Sequence, residues 1–296
     1  MKKEQPRLLK FCGPTEYALK NLWNRVVYCQ HYQGFNDPFE FWTDFHRGIP
    51  DLETERGRFI AAVNAWGFGE DRLDEALEHA PEYFSSVEAL QPPFEAMADG
   101  MRIACFGSEP VNLLMWSHYA DGLRGFCIVF DEQLVTNTTP KGFIIDVAYL
   151  EKPPLVDSFV YAVSHDQEDY HVMAIQEARP RGRYQRKTES GLITGYREAA
   201  DTALKHMREM WQHAFAAKPL EWRYEKERRL LVPTDRQDRE PIFREYPKRA
   251  VREIVVGEKM PAGYLRRLAS IVKERYGKIP LRTARRSSDV YKLIIE

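Results

Sequence analysis

One charged stretch, Lys218-Pro-Leu-Glu-Trp-Arg-Tyr-Glu-Lys-Glu-Arg-Arg-Leu230, connects the clearest helical pattern of the chain to a strongly apolar run. In the helical pattern, at 196–217, apolar residues recur every three to four positions, which is the spacing of a helix with one buried face. The apolar run at 230–232 is typical of a buried strand. A long helix that leads into a strand predicts a fold built from both kinds of element.

The charges of this stretch have two interpretations. If the backbone is extended from Tyr224 onward, alternation places Glu225, Glu227 and Arg229 on one face. Two carboxylates beside a guanidinium group perturb each other's pKa values, which suits acid, base or sugar-hydroxyl chemistry. If the stretch is helical, Glu225 and Arg229 form an i, i+4 pair on a solvated face, worth on the order of 0.3 kcal/mol. The residue types alone do not decide between the extended and the helical interpretation.

Composition narrows the class of protein. The 296 residues carry 43 basic and 44 acidic side chains, so the net charge of −1 gives no global attraction to nucleic acid or to an anionic membrane. No apolar run reaches the roughly 20 residues of a membrane span, and the first residues lack the apolar core of a signal peptide. We therefore expect a cytoplasmic protein with no membrane partner.

The sequence lacks the usual spacings of metal and phosphate sites. The four cysteines are scattered in apolar runs, without the spacing of a zinc site, so we expect buried, reduced thiols and no metal. Neither a Gly-x-x-x-x-Gly-Lys-Ser/Thr loop nor a Gly-x-Gly-x-x-Gly motif occurs. This absence argues against a P-loop and against a typical Rossmann site.

Short strand patterns recur along the whole chain. They lie at 7–12, 26–29, 101–106, 125–131, 143–149, 251–256 and 290–295. We expect 143–149 to neighbour 125–131 in a hairpin or meander. Helical patterns fill about 50–100. Because β-α-β alternation is not steady, the predicted fold is a single α+β domain over residues 1–296, with a mixed, largely antiparallel central sheet, surrounding helices and a helical insertion at about 50–100.

Two further motifs combine polar and aromatic side chains. The turn Asn36-Asp37-Pro38 lies among aromatic residues and is either a plain strand-to-helix turn or a wall of a pocket. Trp116, His118 and Tyr119 fall within four residues on a predicted short helix, where His118 is either a structural histidine or part of a site. We predict that the turn and the stretch 222–229 line the same pocket, because such polar groups are costly to bury unless they are paired or used.

A basic run at 179–187 is broken by glycine and proline. Such a run is usually a solvated loop. The alternative is a phosphate-binding arm, since clustered cations with an interleaved tyrosine suit a nucleotide or an RNA backbone.

Several motifs together resemble a known bacterial family. They are Phe35-Asn-Asp-Pro-Phe-Glu40, Leu114-Met-Trp-Ser-His-Tyr-Ala120 followed by Gly125-Phe-Cys-Ile128, Lys218 with Trp222-x-Tyr-Glu-x-Glu-x-Arg229, and Ile254-Val-Val-Gly257. In this order they resemble the family called domain of unknown function 2971. The resemblance implies an intracellular bacterial protein and no particular activity.

A looser resemblance, to ADP-ribosyltransferases, supplies a chemistry. It implies that Arg7 or Lys10 binds nucleotide phosphates and that Trp116 or Tyr119 stacks on nicotinamide. It further implies that Glu227 holds the ribose and stabilises oxocarbenium-like charge, while Glu225 activates the acceptor. The predicted catalytic residues are therefore Glu225, Glu227 and His118. The predicted nucleotide-binding residues further include Asn36, Asp37, Trp222 and Arg229.

Three hypotheses about function follow. The first is an NAD-consuming, ADP-ribosyltransferase-like enzyme of a toxin or phage-defence kind, with NAD as co-substrate and an unidentified protein or nucleic-acid acceptor. The second is a nucleic-acid-binding or regulatory module that uses the basic run at 179–187. The third is a metal-dependent nuclease that uses Asp37, Glu40, Glu225 and Glu227 as a carboxylate cluster.

Overall fold

The computed structural model describes residues 7–181, 188–236 and 238–296. The chain divides into two compact units. The first unit comprises 1–41, 99–152 and 218–296, and the second comprises 42–98 and 153–217. The predicted insertion at about 50–100 lies almost entirely in the second unit, where residues 153–217 join it.

The elements alternate irregularly along the chain. The strands are β1 (Arg7–Cys12), β2 (Val26–Cys29), β3 (Asp44–His46), β4 (Met101–Phe106), β5 (Phe126–Asp131), β6 (Phe143–Asp146), β7 (Ala148–Leu150), β8 (Leu155–Asp157), β9 (Ala217–Pro219), β10 (Arg228–Pro233), β11 (Ile242–Glu245), β12 (Val251–Gly257), β13 (Leu281–Arg286) and β14 (Leu293–Ile295). The helices are α1 (Glu16–Asn24), α2 (Arg56–Ala65), α3 (Leu73–Val87), α4 (Phe94–Gly100), α5 (Leu113–Tyr119), α6 (Glu132–Thr136), α7 (Ser158–Arg181), α8 (Thr188–Phe215) and α9 (Ala262–Ile271).

A five-stranded sheet with the order β1-β5-β12-β13-β14 forms the centre of the first unit. Its pairings are antiparallel except for the parallel pair β12 and β13. Alternation along the strands gives each face its own core: Phe126 and Ile128 pack with α1 and α9, whereas Cys127 and Val129 pack with α5. The predicted α+β class with a mixed, largely antiparallel sheet is confirmed.

A second, three-stranded sheet in the same unit has the order β4-β10-β6, with both pairings antiparallel. Strand β10 is central and its residues Leu230 to Val232 are fully buried. The expected hairpin between 125–131 and 143–149 is wrong, because β6 pairs with β10 and β5 pairs with β1 and β12. The short helix α6, capped by the Asp131 side chain, leaves β5 and directs the chain away from its neighbour.

The second unit is mainly helical. Its core joins α2, α3 and the first turns of α7 through apolar residues such as Phe59, Phe84 and Phe159. The long helices α7 and α8 pack against each other, and β3 pairs with β8 in parallel. Among the described residues, no helix combines the length and the apolar character that a membrane crossing requires.

The charged stretch at 218–230 adopts neither of the two expected conformations. A 3-10 helix covers Leu220–Glu225, Lys226 has a left-handed backbone with a φ of 45°, and β10 starts at Arg228. The left-handed residue reverses the local direction of the chain between Glu225 and Glu227, and both side chains are buried. The stretch therefore belongs to the interior.

Arg244 on β11 is buried, and no carboxylate of the described residues pairs with it. Its guanidinium donates to the backbone carbonyls of residues 135 and 136 at the end of α6 and of residues 138 and 140 after it. Burial, opposed weakly by Cys29, lowers the pKa of Arg244. This arginine holds the segment after α6 against β11.

The cysteines are four free thiols, of which Cys29 and Cys127 are buried and Cys12 and Cys105 are half-buried. Burial raises the pKa of Cys12 to about 11 and that of Cys29 to about 12. It also raises the pKa values of Cys105 and Cys127 well above the ordinary thiol value.

Candidate active site

A chain of buried ion pairs runs through the first unit. The Lys218 ammonium lies 2.9 Å from Oε2 of Glu225 and 2.7 Å from Oε2 of Glu227. Arg229 binds Oε1 of Glu227 through Nε at 2.8 Å and holds Glu40 with both terminal nitrogens, at 2.6 and 2.8 Å. These five side chains are at most 5% exposed. The two carboxylates of the charged stretch therefore share one cation, and Arg229 anchors the second carboxylate to a distant loop.

One end of this network faces a cavity of about 370 Å³. Its charged and polar lining includes Lys10, Asn36, Tyr119, Lys218, Glu225 and Glu227, and its apolar lining includes Phe35, Phe106 and Met115. Ligand pockets in proteins are typically of this mixed character, with a few polar groups in an apolar wall and a volume of roughly 300–1,000 Å³.

These side chains come from five segments, namely β1, the loop that contains Asn36, α5, β9 and the 3-10 turn that leads into β10. Lys10 comes from β1 and crosses to β4, where its ammonium donates to the Cys105 carbonyl at 2.9 Å and lies over the Phe106 ring. Tyr119 ends α5, whose N-cap Asn112 also donates to the Tyr224 carbonyl. This bond fastens the 3-10 turn that carries Glu225. The cavity is thus built from backbone segments that hydrogen bonds already hold in place.

The two glutamates have pKa values shifted in opposite directions. Burial raises the pKa of Glu225, and the nearby Lys218 ammonium and Tyr119 hydroxyl only partly offset it. Burial acts on Glu227 as well, but the positive charges of Arg229 and Lys218 outweigh it and hold the pKa well below the ordinary value. Glu227 therefore stays ionised to a lower pH than an ordinary glutamate, whereas Glu225 takes up a proton at a higher pH than an ordinary glutamate.

Tyr119 and Tyr149 each support one of these glutamates. The Tyr119 hydroxyl donates to Oε1 of Glu225, and the Tyr149 oxygen accepts the backbone N–H of Glu227 at 2.8 Å. Burial raises the pKa of both tyrosines, and the adjacent carboxylate raises that of Tyr119 further. Both phenols therefore keep their protons at neutral pH.

Lys218 is the main residue that sequence reasoning missed as a functional candidate. It was part of the quoted motif but received no role, because a lysine in a charged stretch usually lies on a solvated face. Its ammonium lies 5.2 Å from the centre of the Trp222 ring. The proline and the aromatic residue that follow Lys218 are the only local signals of its burial.

The structure brings together Lys10, Asn36, Tyr119, Glu225 and Glu227 from the predicted set, and it places Arg229 directly behind Glu227. The Asn36 turn and the charged stretch thus line one cavity. Asp37 is buried beside it, where its Oδ1 accepts the Phe39 N–H at 2.9 Å and caps the turn.

Four other predicted residues lie outside this cavity. Trp116 is fully buried, packs edge-on against Phe11 and donates its Nε1–H to the Pro110 carbonyl at 2.7 Å, so no ligand can stack on it. His118 points to solvent on the opposite side of α5, 5.8 Å from the Tyr224 ring. Trp222 does not line the cavity, and the centre of its ring lies 5.2 Å from the Lys218 ammonium. Arg7 lines a different, neighbouring cavity.

The other two hypotheses concern a metal site built from Asp37, Glu40, Glu225 and Glu227, and a nucleic-acid-binding arm at 179–187. Within the described ranges, no group of three or more histidine, cysteine or acidic side chains is arranged to hold a metal ion. Glu40, Glu225 and Glu227 instead have Arg229 or Lys218 as partners. The basic run at 179–187 begins in the last turn of α7, and its residues 182–187 lie outside the described residues. The nucleic-acid hypothesis therefore stays a prediction.

Comparison with known proteins covers the middle of the chain. The model of the family described as protein of unknown function (DUF2971) matches residues 115–230. This range contains Tyr119, Lys218, Glu225 and Glu227, and it supports the resemblance to that family seen in the sequence motifs. Neither the curated proteins nor the solved structures gave a match. The resemblance to ADP-ribosyltransferases stays a prediction.

Proposed function

We propose that this chain is an enzyme that breaks the bond between a ribose and a nitrogen base in a nucleotide, with NAD as the first candidate substrate. The observation that carries the proposal is the pair Glu225 and Glu227, which line one cavity with pKa values shifted in opposite directions. Environments that separate the pKa values of two neighbouring carboxyls assign them different roles in acid–base chemistry.

Glu227 suits the bond-breaking step. When the C1′–N bond of NAD breaks, its electron pair passes to the nicotinamide nitrogen and positive charge develops on the ribose. A fixed carboxylate in a site of low dielectric stabilises that charge. Arg229 and Lys218 keep Glu227 ionised, so the anion is present before the substrate reacts.

Glu225 suits the transfer step. The acceptor, water or a hydroxyl group, forms a bond from its oxygen to C1′ and must lose the proton of its O–H bond. Glu225 takes this proton as a general base, because its raised pKa moves it towards the neutral range in which such a base is effective. Tyr119 and Lys218 hold the carboxylate in position through its two oxygens.

The cavity fits one end of a dinucleotide. Phe35, Phe106 and Met115 offer apolar surface to a flat ring, while Lys10 and Asn36 offer polar groups to the sugar. A role in toxicity or phage defence is a further part of this proposal, because an enzyme that consumes NAD would deplete it in the cell.

The test measures nicotinamide release from NAD by the purified chain, with and without EDTA. We expect Glu227→Gln, which keeps the size of the side chain but removes its charge, to lower turnover by a factor on the order of a hundred or more. Glu225→Gln should lower it as well. Glu40→Gln is the matched control, because it alters the same buried network outside the cavity. All activities are compared well below each melting temperature.

Two outcomes would contradict the proposal. In the first, Glu40→Gln and Glu227→Gln lose activity equally and in proportion to their lower melting temperatures, which would make the network structural. In the second, the unaltered chain releases no base from NAD or from other nucleotides. Release that disappears with EDTA would point instead to the metal-dependent hypothesis.

A further inference from the structure

A second and larger cavity, of about 900 Å³, adjoins the first one. Glu227, to which we assign charge stabilisation, and Leu9 line both cavities, so the two are neighbours along these two residues. The charged stretch contributes three basic residues to the lining of the second cavity: Arg223, Lys226 and Arg228. Neither the family match nor the predicted activity assigns a role to these three side chains.

The positions of these cations follow from the local backbone. Arg223 lies in the last turn of the 3-10 helix, Lys226 is the left-handed residue that caps it, and both line the second cavity. The Lys226 N–H bonds to the Arg223 carbonyl, and the Ser108 hydroxyl donates to the Lys226 carbonyl at 3.0 Å. The cations thus project from a segment that the loop after β4 holds in place.

Four basic side chains line this cavity, namely Arg7, Arg223, Lys226 and Arg228, against three acidic ones. Each acidic lining residue has a cationic partner: Asp146 pairs with Arg228, Glu227 with Lys218 and Arg229, and Glu253 with Arg282. Two of the basic residues also have carboxylate partners: Lys226 pairs with Glu109, and Arg228 pairs with Glu132 in addition to Asp146.

Arg223 differs from these side chains. It is exposed, and its guanidinium forms no hydrogen bond or ion pair within the described part of the chain. Tyr149 adds a donor to the same cavity, because its oxygen accepts the Glu227 N–H and its own O–H has no acceptor among the described residues. Two donors without protein partners therefore face one space.

We propose that the second cavity binds the diphosphate of a nucleotide whose base-bearing ribose enters the first cavity, with Arg223 and the Tyr149 hydroxyl as donors to phosphate oxygens. This inference rests on the proposed function. The ligand class is a nucleoside diphosphate ester, because a guanidinium fork matches phosphate geometry and Leu9, Val129 and Val147 provide an apolar wall for a second ring.

The test measures binding of ADP by calorimetry, because ADP carries the diphosphate but has no nicotinamide to lose. We expect Arg223→Glu to weaken ADP binding at least about tenfold, since it removes a charge-assisted bond and adds repulsion. We expect the affinity of the unaltered chain to fall with rising salt. Arg266→Glu is the matched control: it reverses the charge of another exposed arginine, on α9 and outside the cavity lining, and should change the affinity less than twofold.

The outcomes separate this inference from the proposed function. ADP binding that depends on Arg223, in a chain that turns over no nucleotide, supports the subsite while the function fails. Nicotinamide release with the same KM for NAD in Arg223→Glu and in the unaltered chain overturns the subsite while the function stands. The subsite is also overturned if ADP binds no better than adenosine, or if neither ADP nor inorganic diphosphate binds.

Discussion

Lys218→Met is the most direct test of how the buried network is built. The lysine side chain is 5% exposed and its ammonium contacts both Glu225 and Glu227. Methionine keeps most of the unbranched apolar stem and loses only the charge. Removing one partner of a buried ion pair costs about 3–5 kcal/mol, because the remaining charge stays desolvated.

We expect a cost near the lower end of this range, about 3 kcal/mol, because each glutamate keeps one partner. Glu227 keeps Arg229, whereas Glu225 keeps only the neutral Tyr119 hydroxyl. Glu225 therefore accounts for most of the loss. Its pKa, already raised by burial, should rise further without the lysine.

Urea denaturation of four proteins checks this reasoning: the unaltered chain, Lys218→Met, Glu225→Gln and the double variant. Because the glutamine no longer needs a cation, the double variant should be at least as stable as Lys218→Met, with a coupling energy of about 1–3 kcal/mol. A Lys218→Met variant whose stability lies within about 0.5 kcal/mol of the unaltered chain would refute the argument. Strictly additive effects of the two changes would refute it too.

Further predictions concern pH, a buried arginine and two glycines. The folded-state pKa of Glu227 is depressed, so its contribution to stability is present above the ordinary value of 4.5 and is lost as the pH falls below it. The stability difference between the unaltered chain and Glu227→Gln, from urea midpoints, should therefore shrink from about pH 7 to about pH 3. Arg244→Met should cost about 3–5 kcal/mol in the same assay, because it leaves buried carbonyls unpaired, and a loss below about 1 kcal/mol would contradict this. Gly257→Ala should abolish soluble expression, since its Cβ would lie 2.1 Å from the Leu123 carbonyl oxygen. Gly195→Ala, on α8 with open space around it, should stabilise the chain by about 1 kcal/mol instead.

Local patterns predicted most strands of the two sheets of the first unit, although they missed β13 in the five-stranded sheet. Runs such as 7–12 and 101–106 match β1 and β4 because their β-forming residues end at clear turn residues. Helix α1 begins after Thr15, a residue type that favours the N-cap position and whose side chain accepts the Ala18 N–H. In contrast, helix α7 was not predicted, because half of its 24 residues are polar and no apolar stripe marks one face.

Long-range pairing and side-chain direction were the parts that the sequence did not reveal. Strand β6 pairs with β10 across more than eighty residues, and no local signal indicates that partner. On α5 the helical turn of about 100° per residue directs Trp116 and Tyr119 inward and His118 outward, although the three are close in sequence. Lys226 has a left-handed backbone that its residue type does not favour, and this residue decides that Glu225 and Glu227 meet.

The rate at which the four cysteines are alkylated in the native protein measures how often the structure opens locally. Only the thiolate reacts with alkylating reagents, and every one of these thiols has a raised pKa, so the intact molecule should be labelled slowly. Cys105 lies in the wall of the smaller cavity, whereas Cys127 lies in the middle of β5. Labelling rates at these two positions then measure separately how often the cavity wall and the central sheet open. A ligand that occupies the smaller cavity would slow the reaction of Cys105 and leave that of Cys127 unchanged.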